Sequence, residues 1–403
     1  MKTTKWEMRI ARLVTMAGIA ASVFFPAAHA ADNFSVSVTS EGSSASRGFS
    51  SIESALNQLQ NNQLNAILPN YTQTSIASST INLRGLSATA GYQTTGTALN
   101  FTIPSLGVNQ TFQGATRDES QKQLLDFLKK GNFTGRLLNA FAGVSPTEPI
   151  AGNPSSLMSQ MAGRDFDVAF SGNGSGVGIG IAYSQLTQGG VPVSLYTLPI
   201  NYIYAFDSTP GYALTFDLPI SYRSAGGAAG GSAVSGISLS IPIAENWTVT
   251  PKLSLGATGS LDLGSVGALA AGTIVSSYRF KLGGYDLVLG NLLGVARTLP
   301  LSFGQYSVDP KLTNEFTKNG LMVSHDLKFL GIDQEWMEGT LGQVWAIDTR
   351  FVGSKLYDDN YQEFGVAVGR SFAFARGKFI RLGISYLHSH HSQGATFNLG
   401  YKF

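Results

Sequence analysis

Residues 388–393 bring three histidines and two serines together within the run His-Ser-His-His-Ser-Gln. A serine becomes a nucleophile when a neighbouring imidazole accepts its proton and a third group orients that imidazole. His390 and Ser392 are suited to the first two roles, and Asn398 could supply the third only if its side chain reached back along the chain. Histidine-rich loops are more often solvated or adventitious metal binders. The sequence therefore predicts no enzyme, and it keeps His390 and Ser392 as the catalytic pair of an alternative hypothesis.

The sequence carries no motif for a cofactor, a metal or a nucleic acid. A Gly-rich phosphate loop, a dinucleotide fingerprint and an HExxH motif are absent, and the lack of cysteine excludes disulfides and thiolate metal sites. The formal charge is +2, but Lys2, Lys5, Arg9, Arg12 and Glu7 contribute +3, which leaves −1 for residues 31–403. Nucleic-acid binding needs a basic field. We therefore expect no nucleic-acid partner, no cofactor and no metal.

A second set of candidate functional residues consists of charges at alternate positions of apolar–polar segments. If these segments are strands of a closed barrel, the charges line its lumen: Asp217, Arg223, Lys252, Arg279, Lys281, Asp348, Arg350, Glu363, Arg381 and Lys402. Opposite charges across a narrow lumen form a structural hydrogen-bonded network, whereas a surplus of Arg and Lys makes an open pore prefer anions. Cations outnumber anions by seven to three in this set. The structural network is favoured, and weak anion preference is expected if the pore conducts.

The strand pattern is clearest in residues 393–403, where apolar side chains occupy every second position through Phe397, Leu399, Tyr401 and Phe403. A period of two indicates a strand with one apolar and one polar face. A last strand that ends on an aromatic residue resembles the C-terminal assembly signal of Gram-negative outer-membrane β-barrels. The resemblance implies that these four residues form that signal. It also implies outer-membrane lipid, the barrel assembly machinery and periplasmic chaperones as partners.

Counting back from Phe403 gives twelve alternating segments of about ten residues, the length at which tilted strands cross an outer membrane. They are residues 176–187, 198–206, 214–222, 234–243, 247–258, 269–282, 285–297, 321–329, 340–352, 364–374, 378–388 and 394–403. The predicted fold class is an all-β transmembrane barrel of about 12 antiparallel strands, with a small, mainly helical N-terminal region.

Connection lengths assign a side of the membrane to each end of the barrel. Short turns at 207–210, 244–246, 283–284 and 375–377 share the side of the C-terminus, and longer connections at 224–233, 259–267, 298–319 and 354–360 share the other. Outer-membrane barrels have short periplasmic turns and longer extracellular loops, whereas a soluble two-sheet sandwich would not sort its connections in this way. The connection 330–339 is an exception, because it is long for the periplasmic side.

The first 165 residues differ from the predicted barrel domain, residues 166–403. Residues 1–30 have the basic start, apolar run and Ala-His-Ala end of a secretory signal, so we expect a mature chain from Ala31 in the cell outer membrane. Residues 31–165 are predicted to hold a helical stripe at 52–67, one hairpin at 80–103, and helices at 118–130, 134–141 and 153–161. This region could plug the pore, lie in the periplasm or be displayed outside.

Twelve strands preceded by a helix resemble the translocator domain of autotransporters, whose barrel is filled by a helix that leads back to an exported passenger. The resemblance implies that the chain anchors or exports its N-terminal region, although about 120 residues are few for a passenger and contain no solenoid repeat. One alternative is a porin-like channel for small solutes. A second is an outer-membrane lipid hydrolase, because His390-x-Ser392 resembles the His-x-Ser pairing of outer-membrane phospholipases and lipid A deacylases.

Overall fold

The N-terminal part of the chain begins with an antiparallel sheet. The computed structural model describes residues 32–58, 63–128, 131–170, 174–303, 306–327, 340–371 and 379–402. Six strands form the sheet: β1 (Phe34–Ser40), β2 (Ser43–Phe49), β3 (Ala77–Leu83), β4 (Leu86–Tyr92), β5 (Ala98–Ile103) and β6 (Val108–Gln113), in the spatial order β2-β1-β3-β4-β5-β6. Along β1, Phe34, Val36 and Val38 are buried, whereas the serines between them are half-buried. Alternation therefore gives the sheet one core face and one polar face.

Four helices accompany this sheet. Helix α1 (Ile52–Asn57) and a 3-10 turn (Gln63–Ala66) follow β2, and α2 (Arg117–Leu128), α3 (Gly131–Val144) and α4 (Leu157–Phe170) follow β6. At the start of α2, the Glu119 N–H donates to Thr116 Oγ1, which caps the helix. The Glu119 carboxylate accepts from the N–H of Ala115, the residue before the cap. Within the described residues, no helix combines the length and the apolar character needed to cross a membrane.

The N-terminal region contains the predicted helices and also a sheet that was predicted only in part. Helices α2, α3 and α4 overlap the helices expected at 118–130, 134–141 and 153–161, although α4 begins and ends later. Residues 80–103, expected to form one hairpin, instead belong to three strands, and the Ser-rich residues 34–49 form a hairpin of their own. The buried positions of these strands include Ala77, Ala88 and Ala90. Such small side chains give a weak apolar alternation, because they bury little area.

The second half of the chain folds into a closed barrel. Its strands are β7 (Gly176–Gln188), β8 (Val191–Leu198), β9 (Ile200–Ala205), β10 (Ala213–Asp217), β11 (Ile220–Ala225), β12 (Ala228–Ala244), β13 (Trp247–Ser260), β14 (Ser265–Leu282), β15 (Tyr285–Leu299), β18 (Thr313–Asp326), β19 (Thr340–Gly353), β20 (Asn360–Ser371), β21 (Phe379–Ser389) and β22 (Ser392–Lys402). A small hairpin of β16 (Leu301–Phe303) and β17 (Tyr306–Val308) lies between β15 and β18. Strand β22 pairs with β7 and closes the barrel.

Two of the twelve barrel strands are interrupted by proline. Pro199 separates β8 from β9, and Pro219 lies between β10 and β11, because proline has no N–H to donate to the ladder. Counting each interrupted pair as one strand gives twelve antiparallel strands around the barrel. The predicted barrel fold class is thereby confirmed.

The barrel has two rims, which we call the C-terminal rim, where β7 begins and β22 ends, and the distal rim at the other end of the strands. The long distal connection expected at 224–233 is not present, since β11 and β12 continue to a two-residue turn at Gly226 and Gly227. Both glycines have positive φ, as a tight hairpin turn requires. The distal connections at 300–312 and 354–359 are longer. The predicted signal at 1–30, the connections 330–339 and 375–377, and Phe403 lie outside the described residues.

The outer face of the barrel is apolar over much of its height. Large apolar side chains exposed there include Ile181, Leu198, Leu253, Leu255, Ile274, Leu293, Phe364, Val366, Leu382 and Leu399. Leu253 and Leu293 are 67% and 62% exposed. A continuous belt of this kind is unfavourable in water and matches the lipid-facing band of an outer-membrane barrel. The outward side chains of β22 include Leu399 of the predicted assembly signal.

Candidate functional site

Helix α4 runs through the barrel lumen from the distal rim toward the C-terminal rim. Leu157, its first residue, packs close to Gly256 of β13. In its last turn the carbonyl of Ala169 accepts a hydrogen bond from Ser277 Oγ of β14 at 2.7 Å. The helix has 14 residues, and at the usual rise per residue it is about 21 Å long. It therefore spans most of the apolar band, which is about 25 Å tall in such barrels.

The turn before α4 is held by buried hydrogen bonds. The carbonyl of Asn153 accepts from Ser156 Oγ at 2.7 Å and from Ser159 Oγ at 2.9 Å. The Asn153 side-chain amide donates to the carbonyl of Glu148 at 2.8 Å. The first N–H groups of the helix also have partners, since the N–H of Leu157 donates to Pro149 O at 2.8 Å and that of Met158 to Ile150 O at 3.1 Å. These bonds also fix the angle at which the chain enters the lumen.

An ion cluster attaches the middle of α4 to the barrel wall. Asp165 of α4 lies 3.1 Å from Lys252 Nζ of β13, and Lys252 Nζ lies 2.8 Å from Asp217 of β10. Asp165 also accepts from Ser254 Oγ at 2.9 Å and from Thr273 Oγ1 at 3.1 Å. Asp165 is fully buried and Lys252 is 4% exposed. A buried charge needs such partners, since its desolvation is costly.

Close packing secures the second half of α4. The Phe166 ring lies so near Gly290 and Gly320 that a Cβ on either glycine would come within 2.9 Å of it. Lys318 Nζ lies 5.7 Å from the centre of the Phe166 ring and 5.5 Å from that of Tyr361, at distances where a cation and an aromatic face attract. The inner wall of β15 and β18 is thus shaped to accept the helix.

The opposite side of the lumen is not filled by α4. A cavity of about 520 Å³ lies between the helix and the wall formed by β7, β8 and β19–β22. Arg381 and Glu363 line this cavity with Trp345, whose indole N–H donates to the Glu363 carboxylate at 3.4 Å. The Arg381 guanidinium lies 4.8 Å from the Trp345 ring. Charges of both signs therefore face this side of the lumen.

The structure distributes the ten predicted lumen residues over several places. Asp217 and Lys252 meet in the ion cluster, Arg279 Nη2 donates to Ala169 O at 3.3 Å, Glu363 and Arg381 line the cavity, and Arg223 is buried near the distal rim. Lys281 is exposed at the C-terminal rim and pairs with Asp286 at 3.5 Å. The side chain of Lys402 lies outside the described residues.

Asp348 and Arg350 are placed on the outer face of the barrel, which corrects the predicted inward orientation. On β19 the buried residues are Trp345, Ile347 and Thr349, so the residues between them point outward. Asp348 accepts from Arg350 Nε at 2.8 Å. The sequence assigned the wrong parity because the outward positions of β19 include both charged and apolar side chains. A period of two alone does not say which set faces the lumen.

The N-terminal domain, residues 32–156, packs onto the distal rim. Asn33 Nδ2 donates to Ala225 O at 2.9 Å, and the Ile52 N–H donates to Asp262 O at 2.8 Å. Asn139 Nδ2 donates to Pro310 O at 2.7 Å. The N–H of Tyr357 donates to Ala142 O at 2.8 Å. These contacts involve four distal connections, so the domain covers the mouth of the barrel at that end.

A buried ion pair lies at the junction of the domain and the barrel. Arg84, in the turn between β3 and β4, donates to the Glu148 carboxylate at 2.8 Å, and Ser265 Oγ of β14 donates to the same carboxylate at 3.1 Å. Both charged side chains are fully buried. Burial lowers the pKa of Arg84, and the adjacent Glu148 acts in the opposite direction. The Arg84 guanidinium also stacks on the Phe141 ring, with 3.9 Å to its centre.

At the distal rim His390 lies in the turn between β21 and β22, and Ser392 is the first residue of β22. The Ser392 hydroxyl donates to the Asp358 carboxylate. The N–H of His391 donates to the same carboxylate at 3.1 Å. His390 packs edge-on against His391, with 4.4 Å between ring centres. Ser392 is 3% exposed, and its hydroxyl has no imidazole partner within the described residues. Its bonds hold two distal connections together.

Replacing Ser392 with alanine is expected to lower the free energy of unfolding by about 1–3 kcal/mol, because the buried Asp358 carboxylate loses a donor. The measurement is thermal unfolding in detergent micelles, with Ser46→Ala on the exposed polar face of β2 as the control. Equal midpoints for the two variants would contradict a structural role for Ser392. Lipid cleavage by the unmodified chain that is lost in Ser392→Ala would instead support the hydrolase hypothesis.

The buried charges that were absent from the predicted set include Asp165, Lys318 and Glu148. Asp165 could have been found, because Leu157, Met161, Asp165 and Ala169 follow one another at intervals of four and share a face of the helix. Lys318 was missed because β18 begins at Thr313, earlier than the predicted start at 321. For Glu148, in the connection between α3 and α4, the sequence offers no comparable signal.

Comparison with known proteins extends to the fold alone. No family model and no curated protein matches the sequence. A similar solved structure is the β-domain of the Bordetella autotransporter BrkA, with 15% identity, coverage of 57% of this chain and 98% of that chain, and a TM-score of 0.43. Another is the translocator domain of the autotransporter NalP from Neisseria meningitidis, with 13% identity, coverage of 61% of this chain and 95% of that chain, and a TM-score of 0.45. An outer membrane channel from Pseudomonas putida F1 is also similar, with 13% identity, coverage of 58% of this chain and 97% of that chain, and a TM-score of 0.40. The chain itself is a barrel of twelve antiparallel strands closed around a helix.

Proposed function

We propose that this chain anchors its own N-terminal domain at the cell surface and closes the barrel with helix α4. The observation that carries the proposal is the direction of α4. The helix enters from the distal rim, where residues 32–156 are packed, and leads to β7 at the C-terminal rim. A single pass through the lumen therefore joins a domain on one side of the membrane to a barrel whose last strand ends on the other.

The orientation of single-chain outer-membrane barrels supports placing the distal rim outside. Their periplasmic turns are short and their extracellular connections are longer. In this chain the C-terminal rim carries two-residue turns at 245–246 and 283–284 and the connection 206–212. The distal rim carries a two-residue turn at 226–227 and the longer connection 300–312, which contains its own hairpin. The N-terminal domain accordingly faces the medium, and the lumen holds its tether.

Surface display predicts accessibility to protease on intact cells. A recognition sequence for a site-specific protease, inserted in the exposed turn at Glu41 and Gly42 between β1 and β2, is expected to be cut by protease added outside. The same sequence inserted at Gly283, in the turn between β14 and β15 at the C-terminal rim, is expected to be protected until the outer membrane is permeabilised. Immunoblotting of the two fragments measures both.

Protection of the Glu41 site together with cleavage of the Gly283 site would reverse the orientation and end the display proposal. Detection of intact barrel by its resistance to unfolding in cold detergent serves as the folding control for both insertions. Cleavage at neither site in folded protein would place the N-terminal domain in the periplasm or shield it from the medium, which also contradicts display.

The porin-like alternative requires a lumen open from rim to rim. Helix α4, its ion cluster and the domain over the distal rim occupy that route on one side and at one end. The cavity of about 520 Å³ beside the helix extends to Gly178 and Tyr401, which lie near the C-terminal rim. The helix and the domain contacts at the distal rim favour a closed anchor over a channel, and conductance measurements separate the two.

A further inference from the structure

Arg223 is a buried cation to which the described part of the chain offers no hydrogen-bond acceptor. It points inward from β11, is 5% exposed, and none of its three side-chain nitrogens has an acceptor among the described residues. It lines a cavity of about 10 Å³ between the domain connection, α4 and the barrel wall. A cavity of roughly 10–15 Å³ is enough for one water-sized species. Arg223 therefore borders a space large enough for a single small ligand.

The charges around Arg223 do not balance. Glu148 attracts the Arg223 guanidinium and Arg84 repels it. Glu148 is already paired with Arg84 at 2.8 Å, so the three side chains together carry one excess positive charge. An unpaired buried charge is strongly unfavourable unless a counter-ion neutralises it. The junction between the N-terminal domain and the barrel thus lacks one negative charge.

The hydroxyl groups around the cavity already donate to acceptors other than Arg223. Among the described donors at the cavity, the Arg223 guanidinium is the one without an acceptor. Ser232 Oγ donates to Gln160 Oε1 at 3.1 Å, Thr258 Oγ1 to Gly231 O at 3.0 Å, and Ser260 Oγ to Ala229 O at 2.6 Å. None of these bonds supplies an acceptor to Arg223. The positive charge of Arg223 is therefore buried, and no described side chain is left to neutralise it.

We propose that this cavity is a binding site for a monoatomic anion, chloride under ordinary conditions, held by Arg223. The ligand is small because the cavity is small, which excludes phosphate, sulfate and carboxylates of any size. It is anionic because the surrounding side chains carry an excess positive charge. The site is formed jointly by Pro149 and Ser155 of the connection, Gln160 of α4, and the strand residues Thr258 and Ser260. The anion consequently stabilises the docked state of the N-terminal domain, in which these three parts meet.

Bromide identifies the ligand directly, since it replaces chloride and scatters anomalously. Crystals of the full chain grown in sodium bromide are expected to show an anomalous peak within hydrogen-bonding distance of the Arg223 guanidinium. A peak of water-like density without anomalous signal, at a bromide concentration that labels other sites, would overturn the proposal. This measurement uses the unmodified protein, so it does not depend on the folding of a variant.

Stability gives a second readout. The chloride concentration is varied, and sodium gluconate replaces sodium chloride to keep the ionic strength constant. At chloride concentrations well above the dissociation constant, each tenfold rise in chloride is expected to raise the folding equilibrium constant about tenfold. Arg223→Met is expected to abolish this dependence, whereas Arg350→Met on the outer face should retain it. A chloride dependence equal in both variants, or absent from the unmodified chain, would contradict the site. The proposal concerns the docked domain only and stands whichever rim faces the medium.

Discussion

Lys252→Met is expected to release helix α4 from the barrel wall and to open the lumen. The substitution leaves Asp165, a fully buried carboxylate, with hydroxyl donors and no counter-charge. Removing one partner of a buried ion pair costs about 3–5 kcal/mol, and expulsion of α4 relieves that cost by returning Asp165 to water. Asp217→Asn should have a much smaller effect, because Lys252 keeps Asp165 as its partner.

Single-channel recording in planar lipid bilayers measures the opening. The unmodified chain is expected to conduct little, Lys252→Met to show frequent large openings, and deletion of residues 32–170 to conduct continuously. Lys281→Met is the matched control, since the Lys281 side chain is 82% exposed and its Nζ lies 3.5 Å from Asp286; exposed pairs contribute about 0–1 kcal/mol. If the unmodified chain conducts as well as the deletion variant, α4 does not close the pore, and the porin-like alternative is supported instead.

Glu148→Gln is expected to loosen the N-terminal domain from the distal rim. The Glu148 carboxylate lies 2.8 Å from the fully buried Arg84 guanidinium and neutralises its charge. Glu148 also attracts the Arg223 guanidinium. Its loss leaves two buried cations at one junction, so the free energy of docking should fall by about 3–5 kcal/mol. The double variant Arg84→Met with Glu148→Leu is expected to recover part of this loss, because it removes a cation along with the anion.

Limited proteolysis of the purified protein in micelles reports docking. In Glu148→Gln, the connection at residues 145–156 is expected to be cut many times faster than in the unmodified chain, while the barrel remains resistant. Asp286→Asn, at the exposed pair on the C-terminal rim, should be cut at the original rate. Equal cutting rates in Glu148→Gln and the unmodified chain would show that the Arg84–Glu148 pair does not hold the domain in place.

The alternation of apolar and polar residues determined the barrel before any tertiary contact was known. A strand that faces lipid on one side must place apolar residues at every second position, and this requirement is local to each strand. The pattern therefore predicted twelve strands close to their observed positions, including the closing strand at Ser392–Lys402. The N-terminal sheet was predicted only in part, and in β3 and β4 several buried positions are alanine, which gives a weak apolar alternation.

The tertiary structure decided which residues act together. The parity of Asp348 and Arg350 follows from the register of β19 against β18 and β20. Asp165, Lys252 and Asp217 come together only because α4 enters the lumen beside β13. The side of the membrane on which the N-terminal domain packs depends likewise on the direction of α4. Local sequence sets the period of a strand and the face of a helix, but long-range pairing and the partners of buried charges depend on how distant segments pack.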